Sequence, residues 1–276
     1  NKIVALASGN DRDEGNAWFV GKPMNVIYAA KKIGLWQEGD PFMDILEPGG
    51  NVGMIKVEYL GEYYKEGDVI PAGRKVGDPV RAMDGGGKDR QVIEVDPDLQ
   101  GGFNTTVGYK GFDLTMIGSF KSGGILVSSL YSASGYLNML SGRRGNVDVD
   151  YWTPENTGAT YPKPGGIMSG DNPKYGNTLA LFDASYLKIR ALTLGYSFNM
   201  KAIKDLGVQS LRLYATAQNP FVLFAPYTNE TGMDPETNSY GDENSATGGL
   251  VSRRILTVGA NSPSTRNYMV GFSLTF

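Results

Sequence analysis

The chain has 276 residues and a formal charge of 26 minus 29, or −3, so no electrostatic pull toward nucleic acid is expected. It contains no histidine and no cysteine, which removes the commonest general base and zinc ligand, any thiolate nucleophile and any disulfide framework. No apolar run reaches the roughly 18 residues of a membrane helix, but a membrane β-strand alternates apolar and polar residues and keeps a near-neutral mean hydropathy.

The start, Asn1-Lys2-Ile3-Val4, has no basic segment leading into an apolar one and does not read as a signal peptide. For an exported protein, this implies a missing N-terminal portion. Lys2 to Leu6 reads as the end of an earlier strand; Trp18 to Val20 and Val26 to Lys31 read as short strands. Glu47 to Gly53 and Asp84 to Lys88 are turn-rich, and residues 1–100 read mostly as loop. Gly85-Gly86-Gly87-Lys88 resembles a phosphate loop only superficially: position 82 is Ala and Asp89 stands where Ser or Thr is required. An ordinary glycine turn is the better reading.

The strong strand signals follow. Phe103, Thr105, Val107 and Tyr109 alternate with Asn104, Thr106 and Gly108. After Lys110-Gly111, a tight hairpin turn, Phe112, Leu114, Met116, Gly118 and Phe120 alternate with Asp113, Thr115, Ile117 and Ser119. From Tyr186 to Phe198 a third strand sets Leu192, Leu194, Tyr196 and Phe198 against Thr193, Gly195 and Ser197. Its phase breaks around Lys188 and Arg190, as a bulge near a rim would make it. A fourth strand, Leu211 to Gln218, sets Leu211, Leu213, Ala215 and Ala217 against Arg212, Tyr214, Thr216 and Gln218. In the last, Tyr268, Val270, Phe272, Leu274 and Phe276 alternate with Met269, Gly271, Ser273 and Thr275, mostly small or polar, up to the terminal carboxylate. The connections alternate in length: Lys110-Gly111, then 121–185, then 199–208, then 219–265. Bacterial outer-membrane barrels have this asymmetry of short periplasmic turns and long extracellular loops.

In order and spacing, these pieces resemble the C-terminal region of SusC/RagA-like TonB-dependent outer-membrane transporters. The matching stretches are Val20-Gly21-Lys22-Pro23, Ile33-Gly34-Leu35-Trp36-Gln37, Gly101-Gly102-Phe103-Asn104 and Tyr109 to Leu114. They continue with Ser141 to Arg144, Tyr151 to Asn156, Tyr161 to Gly166, Ser185 to Arg190, Gln218 to Phe221, Gly232 to Glu236 and Pro263 to Tyr268. The resemblance implies an all-β fold: the C-terminal strands of a large antiparallel transmembrane barrel of about 22 strands with long extracellular loops. It implies that 1–276 is one C-terminal barrel portion, with 1–100 mostly extracellular loop, 101–276 strands and long loops, and the plug domain outside the chain. It further implies import of oligosaccharides or peptides with a SusD-like surface lipoprotein and energy from the TonB complex through the plug. Outer-membrane lipid and the rest of the barrel are the other partners, and the location is the outer membrane of a Gram-negative bacterium. In the family, the first long loop often carries a calcium-loop-like run; here Ile55-Lys56-Val57-Glu58-Tyr59-Leu60-Gly61 stands there instead, which argues against that site. No cofactor, metal or catalytic activity is expected.

Several residues carry competing readings. Asp148 with Asp150, and Asp234 with Glu236, are carboxylate pairs of the kind glycosidases use, or loop acids bridged to Arg143 and Arg144. Asp11, Asp13 and Glu14, and Asp234, Asp242 and Glu243, are calcium-ligand types without EF-hand spacing, and read better as solvated loop acids. Trp36, Tyr151, Trp152 and Tyr161 lie in loop segments: they pack the loops' own core, meet a lid partner, or touch the transported ligand. Tyr196, Phe198, Tyr268 and Phe276 read as an aromatic girdle, with a soluble sandwich core as the alternative. In the family, the terminal strand is the barrel-assembly signal, carried here by Tyr268, Phe272 and Phe276. The other function classes weighed are a soluble surface glycan-binding β-sandwich, a passive porin and a secreted glycoside hydrolase.

Overall fold

The structure, a computed structural model, describes residues 1–81, 88–128, 130–131, 149–163, 168–169, 172–198, 207–236, 257–258 and 264–276. Its elements in chain order are β1 (Arg12–Asp13), β2 (Trp18–Phe19), β3 (Val26–Ala30), β4 (Lys32–Leu35), α1 (Met43–Leu46), β5 (Ile55–Val57), β6 (Arg90–Glu94), β7 (Leu99–Tyr109) and β8 (Phe112–Ser122). There follow β9 (Ile125–Ser128), β10 (Met168–Ser169), β11 (Asn172–Pro173), a 3₁₀ turn (Gly176–Ala180), β12 (Leu181–Asp183), β13 (Tyr186–Ser197), β14 (Ser210–Leu223), α2 (Pro226–Thr231), β15 (Thr257–Val258) and β16 (Asn267–Thr275). The chain divides into two compact units. The first takes Asn1–Val95, Leu126–Phe182 and Asn238–Ala260; the second takes Asp96–Ile125, Asp183–Thr237 and Asn261–Phe276.

The second unit is an antiparallel five-stranded sheet in the order β16-β14-β13-β8-β7. Strands of nine to fourteen residues have the reach of bilayer-crossing β-strands, about 9–11 residues when tilted. Lys110 and Gly111, both at positive φ (46° and 89°), make the two-residue turn between β7 and β8, the backbone that a type I′ hairpin demands. The phase break in β13 is a bulge: Ile189 pairs with Gly118 and Ala191 with Ile117, leaving Arg190 unpaired in the ladder. β14 runs past Gln218 to Leu223, because Asn219 at φ 50° and Pro220 are absorbed opposite the same bulge. Among the described residues, the outer edges of β7 and β16 have no partner strand, so this sheet is not closed on itself.

The first unit contains short ladders: β1 with β2, β3 with β6, β4 with β5, β10 with β11, and the β12-β9-β15 group. Within residues 1–95 the described strands are short, two to five residues each, and are joined by turns and irregular segments. β3 is buried at all five positions, which is why it lacks the alternation of a half-exposed strand; β5 buries Ile55 and Val57 on either side of Lys56 but is only three residues long. The core gathers Trp36, Ile55, Val57, Leu46, Tyr131, Trp152, Tyr161 and Leu179. Lys2 to Leu6 is not a strand; Ile3 donates to Lys22 O and accepts from Gly21 N, both at 2.8 Å, and Leu6 O accepts from Gly9 N at 3.0 Å.

Candidate functional site

The five-stranded sheet has two chemically distinct faces, and the register fixes which side chain belongs to which. One row across the sheet is Val107, Leu114, Leu194, Ala215 and Val270. The next is Tyr109, Phe112, Tyr196, Leu213 and Phe272. Side chains two residues apart share a face, so this face also carries Phe103, Met116, Leu192, Leu211, Tyr268 and Leu274. It is apolar and open: Val270 is 86% exposed, Phe272 69% and Leu194 51%. Aromatic rings mark both ends of the strands. At the hairpin end Phe112 lies 4.5 Å from Tyr196, which lies 4.9 Å from Phe198. At the other end stand Phe103 and Phe120, each opposite a strand glycine. A β-carbon at Gly118 would overlap the Phe103 ring, and one at Gly101 would come 3.0 Å from Phe120 Cζ. The rings lie over the bare backbone of their cross-strand partners.

The opposite face is polar. Thr106 Oγ1 meets Thr115 Oγ1 at 2.9 Å, and Thr193 Oγ1 meets Thr216 Oγ1 at 2.8 Å. Toward the hairpin end, Arg212 on β14 donates from Nε (3.0 Å) and Nη2 (2.5 Å) to the two oxygens of Asp113 on β8. The pair reaches across β13 at Gly195, where a β-carbon would lie 2.5 Å from Asp113 Oδ1 and overlap the guanidinium. Glycine is what lets a bidentate pair, the stronger form of ionic hydrogen bonding, bridge two strands over a third.

At the other end, the polar face carries a second, more buried cluster. After β14 the chain enters α2, whose Tyr227 is fully buried, and turns at Gly232 (φ 71°). Asp234 and Glu236 thereby return to β13. Lys188 Nζ donates to Asp234 Oδ2 at 2.5 Å and lies 3.3 Å from Glu236 Oε2. Glu236 Oε1 accepts from the Tyr186 hydroxyl (2.5 Å) and Arg190 Nη2 (2.6 Å), while Arg190 Nε donates to Ser119 Oγ at 3.1 Å. The Lys188 and Asp234 side chains are 6% and 3% exposed. Burial pushes the Asp234 carboxyl up, but donation from Lys188, the Glu236 N–H and Ser264 outweighs it, holding the group below the usual carboxylate range. Removing one partner from such a buried pair costs about 3–5 kcal/mol.

The residues singled out from the sequence fall into three groups. Asp234 and Glu236 are ion-paired to Lys188 and Arg190, partners the sequence reading did not name; Asp148, Arg143, Arg144, Asp242 and Glu243 lie outside the described residues, as does the Gly85 turn. Asp13 is engaged by the Asn16 N–H (3.1 Å) and Asn16 Nδ2 (2.8 Å), closing the β1–β2 turn.

The loop aromatics separate. Trp36 is 1% exposed under the Lys56 ammonium, 4.5 Å from the ring centre. Trp152 is buried and donates from Nε1 to Gln37 Oε1 at 3.1 Å, and Tyr161 packs near Tyr131. Tyr151 alone of the four is exposed. Tyr268, Phe272 and Phe276 all lie exposed on or just beyond β16.

No family model matches the chain. It is similar to TonB-dependent receptor P3 of Formosa agariphila, 27% identical over all of this chain and 26% of that protein. It is also similar to TonB-dependent receptor P26 of the same organism, 27% identical over 52% of this chain and 14% of that protein. Among solved structures, the RagAB peptide importer in the open-open state aligns with a TM-score of 0.55 at 19% identity, over 100% of this chain and 25% of that one. Its closed-closed state aligns with a TM-score of 0.53 over 96% of this chain. The chain spans about a quarter of the length of the first of these relatives and of the RagAB chains.

Proposed function

We propose, from the premise that the chain is SusC/RagA-like in its relatives and its fold, that it builds part of the wall of an outer-membrane, TonB-dependent nutrient transporter. The observation that carries this reading is the open sheet with one exposed apolar face. Contiguous apolar surface of that extent is unfavourable in water, and it is what a lipid-facing barrel wall requires. The two rows of aromatic rings support placement of the strand ends at the two membrane interfaces. In this arrangement the Lys110-Gly111 hairpin and Phe276 lie on the periplasmic side, and the long connections 123–185 and 224–266 leave the strands at their extracellular ends. The polar face, with its threonine pairs and the Asp113–Arg212 bridge, lines the lumen. The open edges of β7 and β16 pair with strands of the rest of the barrel, because unpaired backbone groups in lipid cost several kcal/mol each.

The cargo is an oligosaccharide or a peptide, and the extracellular partner a SusD-like lipoprotein; the TonB complex supplies energy through a plug. Whole-chain likeness to a TonB-dependent receptor and a fold shared with a peptide importer support this reading. The chain performs no catalysis: the carboxylate pair Asp234 and Glu236 is spent on Lys188 and Arg190. The exposure of Tyr151 among the loop aromatics supports it as the one that meets the partner or the cargo. The test is to delete 141–166 from the full-length protein, which removes Tyr151 with its loop. Loss of lipoprotein co-purification and of nutrient uptake, at unchanged surface amount, is the expected result. Unchanged association and uptake would remove this loop from the proposal.

A further inference from the structure

The stretch after β14 does not continue the line of its strand. Phe224 takes a positive φ of 49°, Ala225 and Tyr227 are buried, and Gly232 reverses the chain. Every side chain that then holds Asp234 and Glu236 on the sheet belongs to one face. Lys188 pairs in register with Ser119 and Val222, and Tyr186 with Lys121, all on the polar side. Arg190, at the bulge, reaches the same Ser119. Asp234 is also held by Ser264 ahead of β16, and Asn219 Nδ2 donates to Thr265 O at 3.2 Å. Both ends of the β14–β16 connection are therefore tied to one buried lysine-centred cluster. The bulge contributes directly: by setting Arg190 out of the ladder, it brings a second cation to Glu236 beside Lys188.

We propose that residues 224–236 form a fixed ledge on the lumen side of the wall, and that Lys188 is the positioning residue that holds it there. The inference rests on reading the polar face as the lumen. Two features make the ledge a permanent part of the wall rather than a swinging lid. The pin is buried on both sides, so water does not compete for either charge. It also has several independent ties, through Asp234, Glu236, Tyr186 and Ser264, all of which must break together for the segment to lift. The ledge presents the exposed side of α2, with Asn229 on it, toward the space that a solute crosses.

The chain contributes no native thiol, so paired spin labels go onto introduced cysteines in the full-length protein in lipid vesicles, with any cysteine outside these 276 residues first replaced by Ser. One label replaces Asn229 on the ledge; the other replaces Asn104, an exposed polar-face residue of β7. Electron–electron distance measurement is expected to give one narrow distribution in the parent. Lys188→Met should broaden it, while the heat-resistant folded barrel persists on gels. If Lys188→Met does not fold, Glu236→Gln is used, with partial broadening expected. A broad distribution in the parent, or one left narrow by the variant that folds, overturns the ledge. A third label at Phe272, read for oxygen accessibility, separates the two claims. Water exposure there defeats the membrane reading, whatever the ledge distance shows.

Discussion

Leu194→Arg distinguishes a lipid-facing sheet from a water-facing one by magnitude alone. Leu194 sits in the apolar row with Leu114 and Ala215 and is 51% exposed. In water, an exposed substitution of this kind changes stability by about 0.5 kcal/mol or less. In the hydrocarbon region, a lipid-facing Arg costs about 2–4 kcal/mol near the midplane and roughly 0–1 near the interfaces. Leu194 lies one row in from the Phe112–Tyr196 ring pair, so a loss of about 2 kcal/mol is expected. Asn104→Arg is the control: it stands on the polar face, where the same charge meets an aqueous lumen, and should cost about 0.5 kcal/mol or less. Urea unfolding of the full-length protein in phospholipid vesicles, followed by tryptophan fluorescence, gives both values from the midpoints. Equal and small effects of the two substitutions would refute the lipid-facing assignment.

Gly195→Ala should cost about 1–3 kcal/mol by overpacking, because its β-carbon meets the Asp113–Arg212 pair; the same unfolding measurement checks it. Gly111→Val, at φ 89° in the β7–β8 turn, should cost about 1–3 kcal/mol through backbone strain. Asp234 titrates below its unfolded value, so its stabilisation is present above the unfolded carboxylate pKa and is lost as pH falls through the lower folded value. Asp234→Asn should accordingly flatten the acid limb of the stability–pH profile; an unchanged acid limb would mean that the ion pair contributes nothing. Phe276→Ala should lower the amount of heat-resistant, membrane-inserted protein without altering β16 in the molecules that do insert, measured by gel shift and oxygen accessibility.

The period-two pattern made the long strands legible, because each has one apolar face and one polar face. Even the bulge at Arg190 appeared in the sequence, as a break of phase. The end of β14 did not: Asn219-Pro220 reads as a stop, yet the facing bulge lets pairing resume at Phe221 with Ile189. The ladders of the first unit were less legible for a different reason. β3 finds its partner β6 far along the chain, and its fully buried run lacks alternation. Trp36 and Trp152 joined one core through Gln37 and Gly53, contacts between distant segments that no local pattern announces. The same holds for Asp234 and Glu236: the acids stood out, but their cations, Lys188 and Arg190, lie on β13, 46 residues back in the chain, whereas Arg143 and Arg144 are the partners expected from the sequence.

The central claim, that this sheet is a wall between lipid and lumen, is tested most directly by an oxygen-accessibility scan of single spin labels from Asn267 to Phe276 in the full-length protein in vesicles. A lipid-facing wall gives a period of two, with high oxygen contact at Tyr268, Val270, Phe272 and Leu274 and low contact at Met269, Gly271 and Ser273. Uniform contact with a water-soluble relaxant at every position, or burial of Phe272 and Leu274 from both reagents, would contradict it.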